Sequence, residues 1–109
     1  MALGIDAFRS AALRRELIDI PDMGGGVYVR VLTMKEVREI QRAQKNAEPL
    51  DVYPRLVRMA VVTEDGTQVF GEGDLSTIDQ LPWPTVEAIA SKALALSGMS
   101  GEKSDPKDS

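Results

Sequence analysis

The stretch Val27-Tyr28-Val29-Arg30-Val31-Leu32-Thr33-Met34-Lys35-Glu36 carries two structural periods back to back. Up to Leu32 the period is two. Val27, Val29 and Val31 fall on one face, Tyr28, Arg30 and Leu32 on the other, and the β-branched and aromatic content predicts a strand. Thr33 and Glu36 then stand at the spacing of a capping box. The Thr hydroxyl can accept the N–H of Glu36, and the Glu carboxylate can accept the N–H of Thr33. A helix should follow, with Met34, Val37, Ile40 and Ala43 on one stripe and Lys35, Arg38, Glu39, Arg42 and Lys45 mainly outside it.

Upstream, Glu16-Leu17-Ile18-Asp19-Ile20 reads as a partner strand. Between the two runs lies Pro21-Asp22-Met23-Gly24-Gly25-Gly26. Proline cannot donate to a ladder and glycine reaches positive φ without steric cost, so a β-hairpin with a six-residue loop is predicted. The glycines are not a phosphate cradle. That motif needs a strand before it, Lys-Ser/Thr at the end of the loop and a helix N-terminus after it, and here a strand follows. Ile5, Phe8 and Ala12 recur at helical spacing. Residues 1–14 are therefore expected to be a short helix, or an arm that orders on a partner.

Downstream, a second helix is predicted from about Asp51, with Leu50, Tyr53, Leu56, Val57 and Ala60 on one face and Pro54 in its first turn. Glu64-Asp65-Gly66 marks a turn, after which Thr67-Gln68-Val69-Phe70 can return as a short strand against Val61-Val62-Thr63. That turn lacks the alternating oxygen ligands of a calcium loop. Asp74 can cap a short helix, Leu75 to Leu81, which Pro82-Trp83-Pro84 breaks. The last helix, Thr85 to Ser97, buries Val86, Ile89, Ala90, Ala93 and Leu94, and Gly98 suits the position that ends it. Residues 99–109 are polar and aperiodic and are expected to be a disordered tail. The predicted architecture is a single α+β domain over 15–98: an N-terminal hairpin packed with three to four helices.

Composition narrows the chemistry. The 109-residue chain is 43% hydrophobic and 28% charged, with a formal net charge of −4. It has no cysteine and no histidine, so thiolate nucleophiles, disulfides and imidazole acid–base or metal-ligand chemistry are absent. Carboxylate pairs such as Asp19/Asp22 and Glu72/Asp74 have no second catalytic group nearby and read as solvated charge. No enzymatic activity and no cofactor is expected. Arg14-Arg15 is the only adjacent basic pair, and basic residues are interspersed with acids, which argues against a nucleic-acid partner. No apolar run approaches membrane-spanning length, and Met1 to Leu13 lacks the layout of a signal peptide.

What remains is a surface that binds proteins. Trp83, between two prolines, is the only tryptophan and can either close the core or anchor an interface. If the valine stripe faces the core, Tyr28, Arg30 and Leu32 are partly exposed. Those three, with Phe70 and Trp83, are the candidate contact residues. A small sheet also leaves an open edge through which the chain can self-associate.

The order of these features resembles the phage tail assembly chaperones of long, non-contractile-tailed bacteriophages. The resemblance covers residues 15–98. It rests on the strand Val27 to Thr33 with Glu36 opening a helix, Val61-Val62-Thr63-Glu64-Asp65-Gly66 followed by Val69-Phe70, the acidic Gly71-Glu72-Gly73-Asp74-Leu75, the Leu81-Pro82 break, and a final Ala-rich helix ending Leu96-Ser97-Gly98. It implies binding to the tape measure protein, whose long apolar chain such chaperones keep soluble, and recruitment of the major tail protein to the growing tube. It also implies residence in the host bacterial cytoplasm and absence from the mature virion. Many members have a second, longer form made by translational frameshift, and the tail after Gly98 is where such an extension would begin. The alternative within small α+β phage proteins is a structural head–tail connector or tail-completion subunit.

Overall fold

A computed structural model describes residues 2–46 and 48–99. The expected tail lies outside the described residues except for Met99. The elements run α1 (Ile5–Arg9), β1 (Arg15–Ile20), β2 (Gly25–Arg30), α2 (Met34–Asn46), α3 (Pro49–Ala60), β3 (Val61–Val62), α4 (Leu75–Asp79) and α5 (Trp83–Leu96). This is the α+β architecture that the two periods predict.

The hairpin pairs β1 with β2 antiparallel and in unbroken register, from Arg15 opposite Arg30 to Ile20 opposite Gly25. Its connection is tighter than the composition suggested. Pro21–Met23 forms a 3-10 turn, Gly24 takes φ 70° to close it, and β2 begins at Gly25. Only Gly24 needs the left-handed backbone; Gly25 and Gly26 are already ladder residues. Gly26 instead answers a close approach, since a Cβ there would lie 2.8 Å from the carbonyl oxygen of Ile18.

β2 is the central strand of a three-stranded sheet in the order β1-β2-β3. Tyr28 pairs with Val62 and Val29 with Val61. The returning segment forms a single bridge, Val62 with Gln68, flanked by the Thr63 N–H to Thr67 carbonyl bond of 2.8 Å and the Val69 N–H to Val61 carbonyl bond of 3.1 Å. The turn closes at Gly66, φ 93°.

α5 packs on β2, β1 and α3, and α3 in turn contacts α2 and α4. Ile20, Val29, Val61, Leu56, Val57, Ile78, Ile89 and Ala93 are buried in the resulting core. Each fully buried aliphatic side chain contributes about 1.5–3 kcal/mol of transfer free energy. α3 begins two residues before its predicted start, with a proline at its first helical position, so Pro54 falls inside the helix rather than in its first turn. Leu50, in the first turn of α3, is 63% exposed. Asp74 does not cap α4 with its side chain; its carboxylate accepts the Gly71 N–H at 2.8 Å instead. α5 ends as predicted. Gly98 takes φ 73°, with the Met99 N–H bonding to the Leu94 carbonyl and the Gly98 N–H to that of Ala95.

Candidate partner-binding surface

The capping box forms. The Thr33 N–H donates to Glu36 Oε1 at 2.9 Å, and the Glu36 N–H donates to Thr33 Oγ1 at 3.2 Å. This local bond ends β2 at Arg30 and turns the chain into α2, which corrects the expected exposure of two candidates. Arg30 is 9% exposed: its guanidinium meets the Glu36 carboxylate through two bonds, 2.8 and 2.7 Å, and also donates to the Val31 carbonyl. Leu32, two residues beyond the strand, no longer obeys its alternation and is buried at 7%. Its N–H donates to Ser97 Oγ at the end of α5. Arg30 and Leu32 therefore build the joint between sheet and helices and do not present the exposed side chains expected of them.

Tyr28 and Phe70, 42 positions apart in sequence, line one cleft of about 320 Å³. β3 brings them together. It pairs with β2 at Tyr28 and Val29, and the turn after it leads the chain back past Val69 to Phe70. Met23, Val27, Val69, Leu81 and Ile89 are among its other apolar lining residues, so the cleft opens beside the short third strand at the hairpin-turn end of the sheet. Gln68 fixes its rim by donating to the carbonyls of Arg58 and Phe70 at 3.0 and 2.8 Å.

Trp83 belongs to a neighbouring cleft of about 250 Å³, with Leu50, Tyr53, Pro54, Ile78, Leu81 and Val86. Its ring stacks on Tyr53 with centroids 5.5 Å apart and planes 15° from parallel, yet it stays 48% exposed. Trp83 neither closes the core nor stands free, because one face is packed and the other is presented. Leu81 lines both clefts and makes them one continuous apolar strip. Aromatic anchors with one protected face are the usual carriers of binding energy at interfaces.

Three contributors escaped sequence reasoning. Leu81 read as the end of a helix, Tyr53 as core, and Leu50 as part of the same buried stripe. Their signal, apolar residues beside prolines, does not distinguish a packed position from a presented one. The N-terminal arm adds a second apolar surface. Every described residue from Ala2 to Arg14 is exposed, including Leu3, Ile5 and Phe8 at 63–70%. α1 buries nothing.

Among the described residues no group of three or more His, Cys, Asp or Glu is placed to hold a metal, and no helix is long and apolar enough to cross a membrane. Three carboxylates have lowered pKa values. Glu16 is lowered by its hydrogen bond and charge contact with Lys92, at 2.6 Å. Asp65 is lowered by hydrogen bonds from Thr63 and Thr67 within the turn. For Glu36, burial acts upward, and the bonds from Arg30 and Thr33 outweigh it. None of the three carboxylates lines either cleft, although Thr63, which bonds to Asp65, stands at the edge of the first.

No protein-family model and no curated protein sequence matches this chain. Solved structures do. The chain is similar to the bacteriophage HK97 tail assembly chaperone, with a TM-score of 0.65 and 18% sequence identity, over 84% of this chain and 91% of that one. At this identity the likeness is one of fold, and it extends across nearly the whole of both molecules.

Proposed function

We propose that this chain is a tail assembly chaperone of a long, non-contractile-tailed bacteriophage. It holds the tape measure protein soluble and helps recruit tail tube subunits, acting by binding alone and without a catalytic step. The observation that carries the reading is the fold shared with the HK97 tail assembly chaperone over 84% of the chain. The surface supports it independently. A holdase needs apolar area that its own core does not consume, and net charge to stay dispersed. The Tyr28–Phe70 and Tyr53–Trp83 clefts, joined at Leu81, supply the first, and the formal charge of −4 supplies the second. Clefts of this size accept single apolar side chains, which suits a long helix presenting them at i, i+3 and i+4.

The test is co-expression with a tape measure protein. The expected result is a larger soluble fraction of the tape measure protein and a complex that co-elutes on sizing. An unchanged soluble fraction with no complex overturns the proposal. Mass spectrometry of purified particles separates it from the connector reading, because a connector is present at fixed copy number and a chaperone is missing.

A further inference from the structure

We propose that the apolar strip takes a cationic amphipathic helix. Apolar side chains of that helix enter the two clefts, and one of its arginines or lysines lies over the free face of Trp83, beside Asp79. This deepens the chaperone reading by naming the kind of client segment, and it rests on that reading for the strip being a client surface.

The two clefts differ in chemistry. No charged residue lines the Tyr28–Phe70 cleft. One lines the Tyr53–Trp83 cleft, the exposed Asp79, which enters no ion pair among the described residues. Trp83 is stacked on Tyr53 and still 48% exposed. The face of an indole attracts a cation held within about 6 Å of its centre. A carboxylate at the same cleft adds a second attraction of the same sign. Arginine suits both, because its planar guanidinium can lie flat on the ring while its N–H fork reaches the carboxylate.

The frame of the strip repeats this sign. The lining residues of both clefts fall within 23–28, 50–54 and 61–89. These spans make up more than a third of the chain and contain no Lys or Arg. Their acids include Asp51, Glu72, Asp74, Asp79 and Glu87. Glu87 is exposed and stands one helical turn from Trp83 on α5. The bases are gathered elsewhere. Lys35, Arg38, Arg42 and Lys45 follow one another along α2, which lines neither cleft, and Arg55 shares a separate groove with α2. An apolar floor framed by acids complements a helix with an apolar stripe and basic flanks. A helix with the same stripe and acidic flanks would meet like charge.

The probes are three Trp-free synthetic peptides of about 18 residues that share one Leu/Phe stripe. Their flanking residues are Arg and Lys, Gln, or Glu. Trp83 of the full chain, its only tryptophan, reports binding by its emission. Affinity should fall in the order basic, neutral, acidic, with at least tenfold between the first and the last. The gap should narrow as sodium chloride rises from about 50 to 500 mM. Asp79→Lys should lower the affinity for the basic peptide at least tenfold and raise that for the acidic one, a gain that also shows the variant is folded. Lys35→Glu, on α2, should change neither. Equal binding of the basic and acidic peptides, no binding at about 1 mM, or a preference indifferent to Asp79→Lys overturns the inference. The chain's own arm carries similar chemistry in Ile5, Phe8 and Arg9. Binding that appears only in Ile5→Ser with Phe8→Ser would give the strip to that arm. Trp83 emission that moves with protein concentration alone would give it to a second copy, and either result overturns the inference. Capture of the tape measure protein without a peptide preference overturns this inference and spares the chaperone reading. A peptide preference without that capture does the reverse.

Discussion

Arg30 and Glu36 form a two-pronged ion pair across the joint between β2 and α2, with side chains only 11% and 18% exposed. One carboxylate does two tasks, since Glu36 Oε1 also accepts the Thr33 N–H that opens the helix. Removing it leaves a nearly buried guanidinium without its counter-charge and the Thr33 N–H without its acceptor, although Thr33 Oγ1 still caps the helix. Glu36→Ala should therefore cost on the order of 3–5 kcal/mol. Glu36→Gln, which keeps the cap acceptor, should cost less. Urea denaturation would show this as a fall in midpoint at unchanged slope.

The same pair sets an acid limit. The pKa of Glu36 in the folded chain lies below its ordinary 4.5, because the Arg30 and Thr33 bonds outweigh the opposing effect of burial. The folded state thus holds this proton less tightly than the unfolded state. Its contribution is complete above the unfolded value and is lost as pH falls through the lower folded one. Urea midpoints measured from pH 6 downward should decline below about 4.5. The decline should be shallower in Glu36→Gln.

The apolar strip can be disabled without unfolding the chain. Val69 is 48% exposed and lines the Tyr28–Phe70 cleft, so Val69→Asp should leave stability within about 0.5 kcal/mol. Trp83→Ala should cost about 1 kcal/mol, the scale of its stacking on Tyr53. Both should weaken capture of the tape measure protein in a pull-down. Full capture by both variants would place the contact elsewhere. As the only tryptophan, Trp83 also reports occupancy, and its emission should shift to the blue when a partner covers it.

Gly26→Ala should loosen the hairpin. The new methyl would sit 2.8 Å from the Ile18 carbonyl and 3.0 Å from Leu17 Cδ1, and the first of these is backbone. A loss of about 1–3 kcal/mol is expected, the range for overpacking. Thermal unfolding should register it, and Gly25→Ala, where nothing lies within 4 Å, serves as the control.

Thr85 points the other way. Its Oγ1 is buried and finds no hydrogen-bond partner among the described residues. Thr85→Val keeps the shape and removes the polar atom, so stability should rise by about 1 kcal/mol. A fall in melting temperature would mean that the hydroxyl is satisfied in solution.

The features legible in sequence are those whose cause is local. The capping box, the turn at Gly66 and the α5 terminus at Gly98 each follow from a few neighbouring residues, and each forms. Leu32 was misplaced because strand alternation was carried two residues too far, and Arg30, still within β2, because its cover comes from Glu36. Glu36 lies in α2, six residues after Arg30, and an Arg–Glu pair at that spacing has no periodicity to announce it. The Tyr28–Phe70 cleft depends on the pairing of β2 with β3, a two-residue strand continuous with a helix. Nothing in Val61-Val62 alone says where α3 stops. Trp83 hovered between core and surface in the sequence because its environment is divided in the same way.

The last turn of α5 receives both ends of the folded body. Arg14 Nη2 donates to the Leu96 carbonyl at 3.3 Å, and the Leu32 N–H donates to Ser97 Oγ at 2.9 Å. The incoming arm and the outgoing chain are thus tethered at one pole, while the Tyr28–Phe70 cleft touches α5 near its opposite end, at Thr85 and Ile89. A circular permutant that splices the two ends and opens the exposed Glu64–Thr67 turn should refold. Cargo appended after Gly98 should hang clear of the groove and leave its grip on a client intact.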